Sequence, residues 1–366
     1  MTHSTNRHVS ILATGSHLPG DPIDNADLER LCGPLAQEVL DGIQVRQRHW
    51  MIDPQTGEHR TGTAAMATAA ARQALDRAGL QPSDVDLLIM STASPDYPLP
   101  IACTYVQENL GLDRCAVVEL RAGCVGAVQG MDLARRYLAD GTYNCAIVIG
   151  AESISPMLAP LYLGQDPERV RMRDRLPIYT FGDGAGAVLL RASDAEDTGA
   201  PGYAFATQCM GGDRKPGMQI IGGGSHAPAA EQMRRKHPVE LRIDIPGTTR
   251  FGPQVLAAGL RDLLDRSGLE MGDFDAVVLP EGNADYFAGE FEAAGISAQD
   301  QAALQKSITE NLGDVGATGS AAVPLALDDA WVTGKVSPGD TVLLMAIEAS
   351  RYLYAGLTLP WEAPTP

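Results

Sequence analysis

"LDRAGLQPSDVDLLI", residues 75–89, returns as "LDRSGLEMGDFDAVV", residues 264–278. The offset is 189 residues throughout, with Leu-Asp-Arg, Gly-Leu and Asp-x-Asp all in register. Each copy ends an amphipathic helical pattern (64–78, then 253–267), turns at Gly79 or Gly268, and enters an apolar run of strand length. A second echo pairs "NCAIVIGAES", residues 144–153, with "DTVLLMAIEAS", residues 340–350; both follow a helical stretch and a Gly-containing turn. Similar words recur by chance in any α/β protein, but a constant offset over fifteen residues makes duplication the better account. Strands alternating with helices at this spacing predict βαβ units with helices on both sheet faces. The expected architecture is α/β, in two duplicated halves, 1–195 and 196–366. Residues 211–245, rich in Gly, Pro and charge, form an excursion in the second half that either covers a site or is a solvated loop.

The 366 residues are 45% hydrophobic and 20% charged, enough to bury a large core. Runs such as "DLLIMSTA" are far shorter than the roughly 20 apolar residues of a membrane span, so no membrane partner is expected. The start, "MTHSTNRHVSILATG", lacks the basic-then-apolar order of a secretory signal, so a cytoplasmic location is expected. A formal charge of −18 excludes nucleic acid as a partner and would repel an acidic carrier protein except at a local basic patch. Six cysteines, at 32, 103, 115, 124, 145 and 209, show neither CxxC nor Cys/His metal spacing; no metal is expected, and most read as small buried hydrophobes.

One of the six stands apart. In "VVELRAGCVGAVQGMDLARRYL", residues 117–138, a strand over 115–120 gives way to a helix over 125–138 with Val128, Met131 and Leu138 on its apolar face. Cys124 falls at the helix N-terminus between Gly123 and Gly126. Unpaired N–H groups and the helix dipole there favour a thiolate and lower its pKa. The same N–H groups can hold the oxyanion that forms on a thioester carbonyl. A lone cysteine is ordinarily structural; the strand–Gly–Cys–x–Gly–helix context favours a nucleophile.

The rest of the chain extends this context: "ILATGSHLPGDPIDNADLERL" near the start, "GIQVRQR" at 42–48, "FGDGAGAVLL" at 181–190, "VVLPEGNADYF" at 277–287, "NLGDVGATGSAAVPLALDDA" at 311–330 and "PGDTVLLMA" at 338–346. With the Cys124 elbow, these words make the chain resemble the thiolase superfamily, specifically β-ketoacyl-ACP synthase III. The resemblance implies a five-layered αβαβα sandwich and a homodimer. It also implies acyl-CoA or a phosphopantetheinyl acyl-carrier protein as substrate, with no bound cofactor.

Condensing members of the family use Cys, His and Asn, the last two donating hydrogen bonds to the enolate left by decarboxylation. Here the family's Pro-His-Gln word reads Pro280-Glu281-Gly282, which puts Glu281 in the His position. The Gly-Asn word reads Gly313-Asp314, keeping a polar residue after the strand; a shifted alignment puts Ala317 there instead. The C-terminal triple glycine, which gives an oxyanion N–H in the family, reads Glu348-Ala349-Ser350. Ala349 is then the second oxyanion donor beside Cys124, with Glu348 and Ser350 lining the substrate pocket. Leu99 aligns with the dimer residue that caps the acyl pocket. An ionised carboxylate only accepts hydrogen bonds and cannot donate to an enolate. It can, however, remove a proton from a hydroxyl, amine or acidic C–H. The set Cys124, Glu281 and Asp314 therefore points to acyl transfer from Cys124 to a small-molecule acceptor. The alternatives are decarboxylative condensation and a silent partner subunit that keeps the fold without the chemistry.

Other residues have two readings each. His226 and His237, in the excursion, are solvated or one replaces the missing base. Glu119 and Arg121 are structural or face the site. Arg171 and Arg173, in "PERVRMRDR", and Arg234 and Arg235, in "RRK", form a solvated face or receive the charge of a carrier protein or pantetheine phosphate.

Overall fold

Both copies of the repeated word fold alike. The helix Thr63–Ala78 stops at Gly79, and its counterpart Ile245–Ser267 stops at Gly268. A single 3-10 turn follows each, Pro82–Asp84 and Met271–Asp273. Each turn is closed by the same bond: the Gln81 N–H donates to the Asp84 carboxylate and the Glu270 N–H to that of Asp273, both at 2.8 Å. The second Asp of each Asp-x-Asp then tethers the next parallel strand. Asp86 accepts the Asn144 N–H at 2.8 Å, and Asp275 the Thr341 N–H at 2.9 Å. One departure from expectation is the second helix, which begins at Ile245 rather than at Pro253. Pro253 is buried inside it and does not end it, since a proline forfeits one N–H bond and the helix is anchored on both sides. The chain is described by a computed structural model over residues 7–196, 203–222, 224–226, 229–234, 239–280, 291–292 and 296–366.

The first half contributes five strands to one sheet: β1 (Arg7–His17), β2 (Leu87–Ser91), β3 (Ala116–Leu120), β4 (Cys145–Glu152) and β5 (Gly184–Glu196). Their order is β1-β5-β4-β2-β3. The second half contributes β6 (Ala204–Cys209), β7 (Ala276–Val278), β8 (Ile308–Thr309), β9 (Thr341–Glu348) and β10 (Leu353–Pro360), in the order β6-β10-β9-β7-β8. The two orders superpose. In each sheet the first two pairings are antiparallel and the last two parallel.

Strand alternation sorts the side chains into layers. Leu87 and Ile89 of β2 point inward, into a core shared with Val278, Val342 and Leu344 of the second sheet. That middle core also holds Val128, Met131 and Leu138 of the helix Gly126–Ala139 and Val323, Leu327 and Trp331 of the helix Ala322–Val332. Leu88 and Met90 point outward onto Met66, Ala70 and Leu75, while Leu343 and Met345 pack on Leu256, Leu260 and Leu263. The result is helix, sheet, helix pair, sheet, helix: the five-layered sandwich of two duplicated halves.

Within the excursion, Met218–Ile221 and Glu240–Ile243 pair as an antiparallel ribbon. Leu241 packs on the first half's outer core, and the Arg351 guanidinium holds the ribbon's root through the Gly212 and Arg214 carbonyls at 2.7 and 3.0 Å. The excursion is therefore a built element rooted beside residues 348–352. Among the described residues, no helix is long and apolar enough to cross a membrane.

Candidate active site

The two inter-sheet helices begin with matching elbows. Strand β3 ends at Leu120, and a 3-10 turn, Gly123–Val125, leads into the helix Gly126–Ala139. In the second half, the 3-10 turn Gly319–Ala321 leads into the helix Ala322–Val332. Ser320 lies 196 residues after Cys124, and Glu348 lies the same 196 after Glu152. Each elbow glycine takes a left-handed backbone, φ 58° at Gly123 and 54° at Gly319. This conformation turns the next residue's N–H toward the opposite half.

Each elbow is met there by a glutamate from the end of the other half's strand. The Cys124 N–H donates to Glu348 Oε2 at 2.6 Å, and the Ser320 N–H points at Glu152 Oε1 at 3.4 Å. The Ser320 hydroxyl lies 2.9 Å from the Gly123 carbonyl as its donor and 2.7 Å from Glu152 Oε1. The Gly123 carbonyl and the Cys124 N–H share one planar peptide, so the Ser320 contact also fixes the direction of that N–H. Cys124 itself is half-buried, whereas Glu348 is 2% exposed. The other oxygen of Glu348 accepts the Ser350 N–H at 2.8 Å.

Glu152 is buried to the same degree as Glu348, 2% exposed. It accepts the Ala93 N–H at 2.9 Å as well as the Ser94 hydroxyl, in addition to its Ser320 contacts. Burial pushes its carboxyl above the ordinary glutamate range, against the pull of those donors. Asp183 in "FGDGAGA" is similarly sealed, and burial likewise holds its carboxyl up; it accepts N–H bonds from Met51 at 2.7 Å and Ile154 at 2.6 Å and binds the Ser155 hydroxyl. It pins the N-terminal segment to the start of the helix Ser155–Tyr162.

The expected site residues divide. Cys124 and Glu348 are brought together. Of the residues following Glu348, Ser350 rather than Ala349 gives the N–H that shares its carboxylate. Asp314 sits on the short helix Leu312–Val315, 56% exposed, and pairs with Arg46 at 2.8 Å on the surface. The stretch entering the second elbow is instead Ala317–Thr318, with the Ala317 N–H bonded to the Thr180 carbonyl at 2.8 Å. Glu281, His237 and Arg235 lie outside the described residues.

Leu99 is 80% exposed on a loop. Arg171 and Arg173 both face Asp174, at 2.6 and 3.6 Å, so their charge is locally offset. His226 and Arg234 are exposed in the excursion. The Glu119 carboxylate accepts the Cys103 N–H at 3.0 Å and so holds the start of the helix Ala102–Leu110. Arg121 is exposed. Among the described residues, no three His, Cys, Asp or Glu side chains converge as a metal-ligand group. The roles of Glu152 and Ser320 escaped sequence reasoning. Their signal was present in the second echo, where Glu152 and Glu348 fall in register.

A duplicated five-layer sandwich with a cysteine at the inter-sheet elbow defines a thiolase-superfamily type III ketosynthase. Residues 118–209 match the 3-oxoacyl-[acyl-carrier-protein] synthase III family, and residues 264–359 match that family's C-terminal part. The beta-ketoacyl-[acyl-carrier-protein] synthase III of Rhizorhabdus wittichii is 31% identical over 341 residues, covering 93% of this chain and 96% of the relative. Among solved structures, a tetronic acid condensing enzyme is 30% identical with a TM-score of 0.80, covering 96% of this chain and all of the other. The 3-oxoacyl-(acyl carrier protein) synthase III of Pseudomonas aeruginosa PAO1 is 25% identical with a TM-score of 0.78, covering 98% of this chain and all of that one. The chain belongs to the 3-oxoacyl-[acyl-carrier-protein] synthase III family, whose members are condensing transferases.

Proposed function

We propose that Cys124 takes an acyl group from acyl-CoA or an acyl-carrier protein and passes it to an acceptor nucleophile in a fatty acid/polyketide-type or specialised-metabolite pathway. One observation carries this proposal. The Cys124 N–H, at the head of the inter-sheet helix, holds an anionic oxygen at 2.6 Å, as an oxyanion donor must. The thiolate attacks the thioester carbonyl, the donor leaves as a free thiol after taking up the proton released from Cys124, and the acyl group remains on sulfur.

The side chains around the elbow support an acceptor with a proton to lose. Glu348 at the thiol is a hydrogen-bond acceptor when ionised, and Ala317 has no hydrogen-bonding side chain at all. Neither can stabilise an enolate as His and Asn do in the family's condensing members. A carboxylate can instead deprotonate a hydroxyl, amine or acidic C–H, and Glu281, in the family's His position by sequence, is assigned that role. Asp314 is paired with Arg46 on the surface and is given no part in the transfer. The structural relative described as a tetronic acid condensing enzyme supports a setting in specialised metabolism. Membership of the synthase III family favours a second reading, decarboxylative condensation on an extender thioester, with the same loading step.

Intact-mass spectrometry after incubation with a panel of acyl-CoAs and acyl-carrier proteins tests the loading step. The expected result is a single acyl adduct on the wild type and none on Cys124→Ala. A silent subunit would take no adduct from any donor. Carbon dioxide released from a malonyl donor in the presence of the loaded enzyme would establish the second reading in place of the first.

A further inference from the structure

We propose that Glu348 is the resting occupant of the Cys124 oxyanion position, and that an acyl thioester loads the thiol by displacing it. This rests on Cys124 being the acyl-carrying residue. The Cys124 N–H has one hydrogen and already gives it to Glu348 Oε2 at 2.6 Å. A thioester carbonyl cannot use that hydrogen while the carboxylate stays. The seat is built for the carboxylate. A Cβ placed on Gly123 would stand 1.9 Å from Glu348 Oε2, so only a glycine there leaves room for it. Ser320 fixes the Gly123–Cys124 peptide, and the Ser350 N–H holds the second carboxylate oxygen at 2.8 Å. The carboxylate also competes with the thiolate for the same positive helix end, since two anions there repel one another.

Loading then proceeds with exchange at one donor. Sulfur attacks the carbonyl carbon while the carbonyl electrons pass to oxygen, and that oxygen takes the N–H that Glu348 has vacated. Collapse breaks the bond to the departing thiolate, which picks up the proton lost by Cys124. Glu348 forms no bond to substrate in this sequence. It is a positioning residue that sets how readily the donor site opens.

Single-turnover loading from acetyl-CoA, followed by intact mass, separates this role from a merely structural one. Glu348→Ala is expected to load about 10- to 100-fold faster than wild type, the range lost with one charge-assisted hydrogen bond. Glu348→Gln, whose amide oxygen still accepts the N–H without charge, should fall between them. Acetate matches the part of the side chain removed in Glu348→Ala. It should slow loading of that variant toward the wild-type rate and raise its melting temperature, with neither effect on the wild type. Equal loading by wild type and Glu348→Ala, or no response of the variant to acetate, overturns the proposal while leaving Cys124 as the nucleophile. Acylation that survives in Cys124→Ala sinks the nucleophile assignment and this proposal with it.

Discussion

The two elbows are the same device set to different purposes. At the second, Glu152 is bonded to the Ala93 N–H and to the Ser94 and Ser320 hydroxyls, and the residue in the cysteine's place is a serine with 0% exposure. At the first, Glu348 meets two backbone N–H groups, and the equivalent residue is a half-buried thiol. Glu152 is held by two side-chain hydroxyls as well as backbone, whereas the described bonds to Glu348 come from the Cys124 and Ser350 N–H groups. Duplication thus left two joints with the same contact between a strand-end glutamate and an elbow N–H, one carrying a serine and the other a thiol.

The largest expected difference between them is in stability. Glu152→Ala leaves the fully buried Ser320 donor without its acceptor and also frees the Ala93 N–H and Ser94 hydroxyl, and should cost about 3 kcal/mol or more, read as a lower urea midpoint. Glu348→Ala frees donors on half-exposed residues, where water can take over, and should cost about 1 kcal/mol. Equal costs would break the comparison.

A smaller effect is expected from the glycines. Gly123→Ala strains a left-handed backbone and drives a methyl into Glu348, for about 1–3 kcal/mol. Adding Glu348→Ala should recover about 1 kcal/mol of that as a coupling energy, because the clashing atom is gone. Gly319→Ala meets Glu152 less closely, its Cβ 2.9 Å from Glu152 Cγ, so Glu152→Ala should recover a smaller coupling energy there.

The smallest effect is expected at Asp314. Both partners of its ion pair with Arg46 are more than half exposed, so Asp314→Ala should shift stability by less than about 0.5 kcal/mol and leave loading of Cys124 unchanged. A loss of loading would bring Asp314 back to the elbow.

Much of this was legible in the chain. The Asp84 and Asp273 turns and the apolar periods around them are local, so a repeated word implied a repeated fold. Cys124 was legible for the same reason: a strand, a glycine and a helix adjoin it in sequence. Glu348 was read as pocket lining because its contact with Cys124 spans 224 residues and joins opposite halves. Only the register of the second echo carried that information. Asp314 was misdirected by a preference for a polar residue after the strand; the strand there is two residues long, and a helical turn carries the side chain out to Arg46.

Because each elbow is finished by the other half's strand, neither half contains a complete one. A chain severed near residue 200 and expressed as two fragments would yield a thiol without its glutamate and a glutamate without its thiol. Either elbow would form only when the pieces reassociate, because the core between the two sheets is built from both halves.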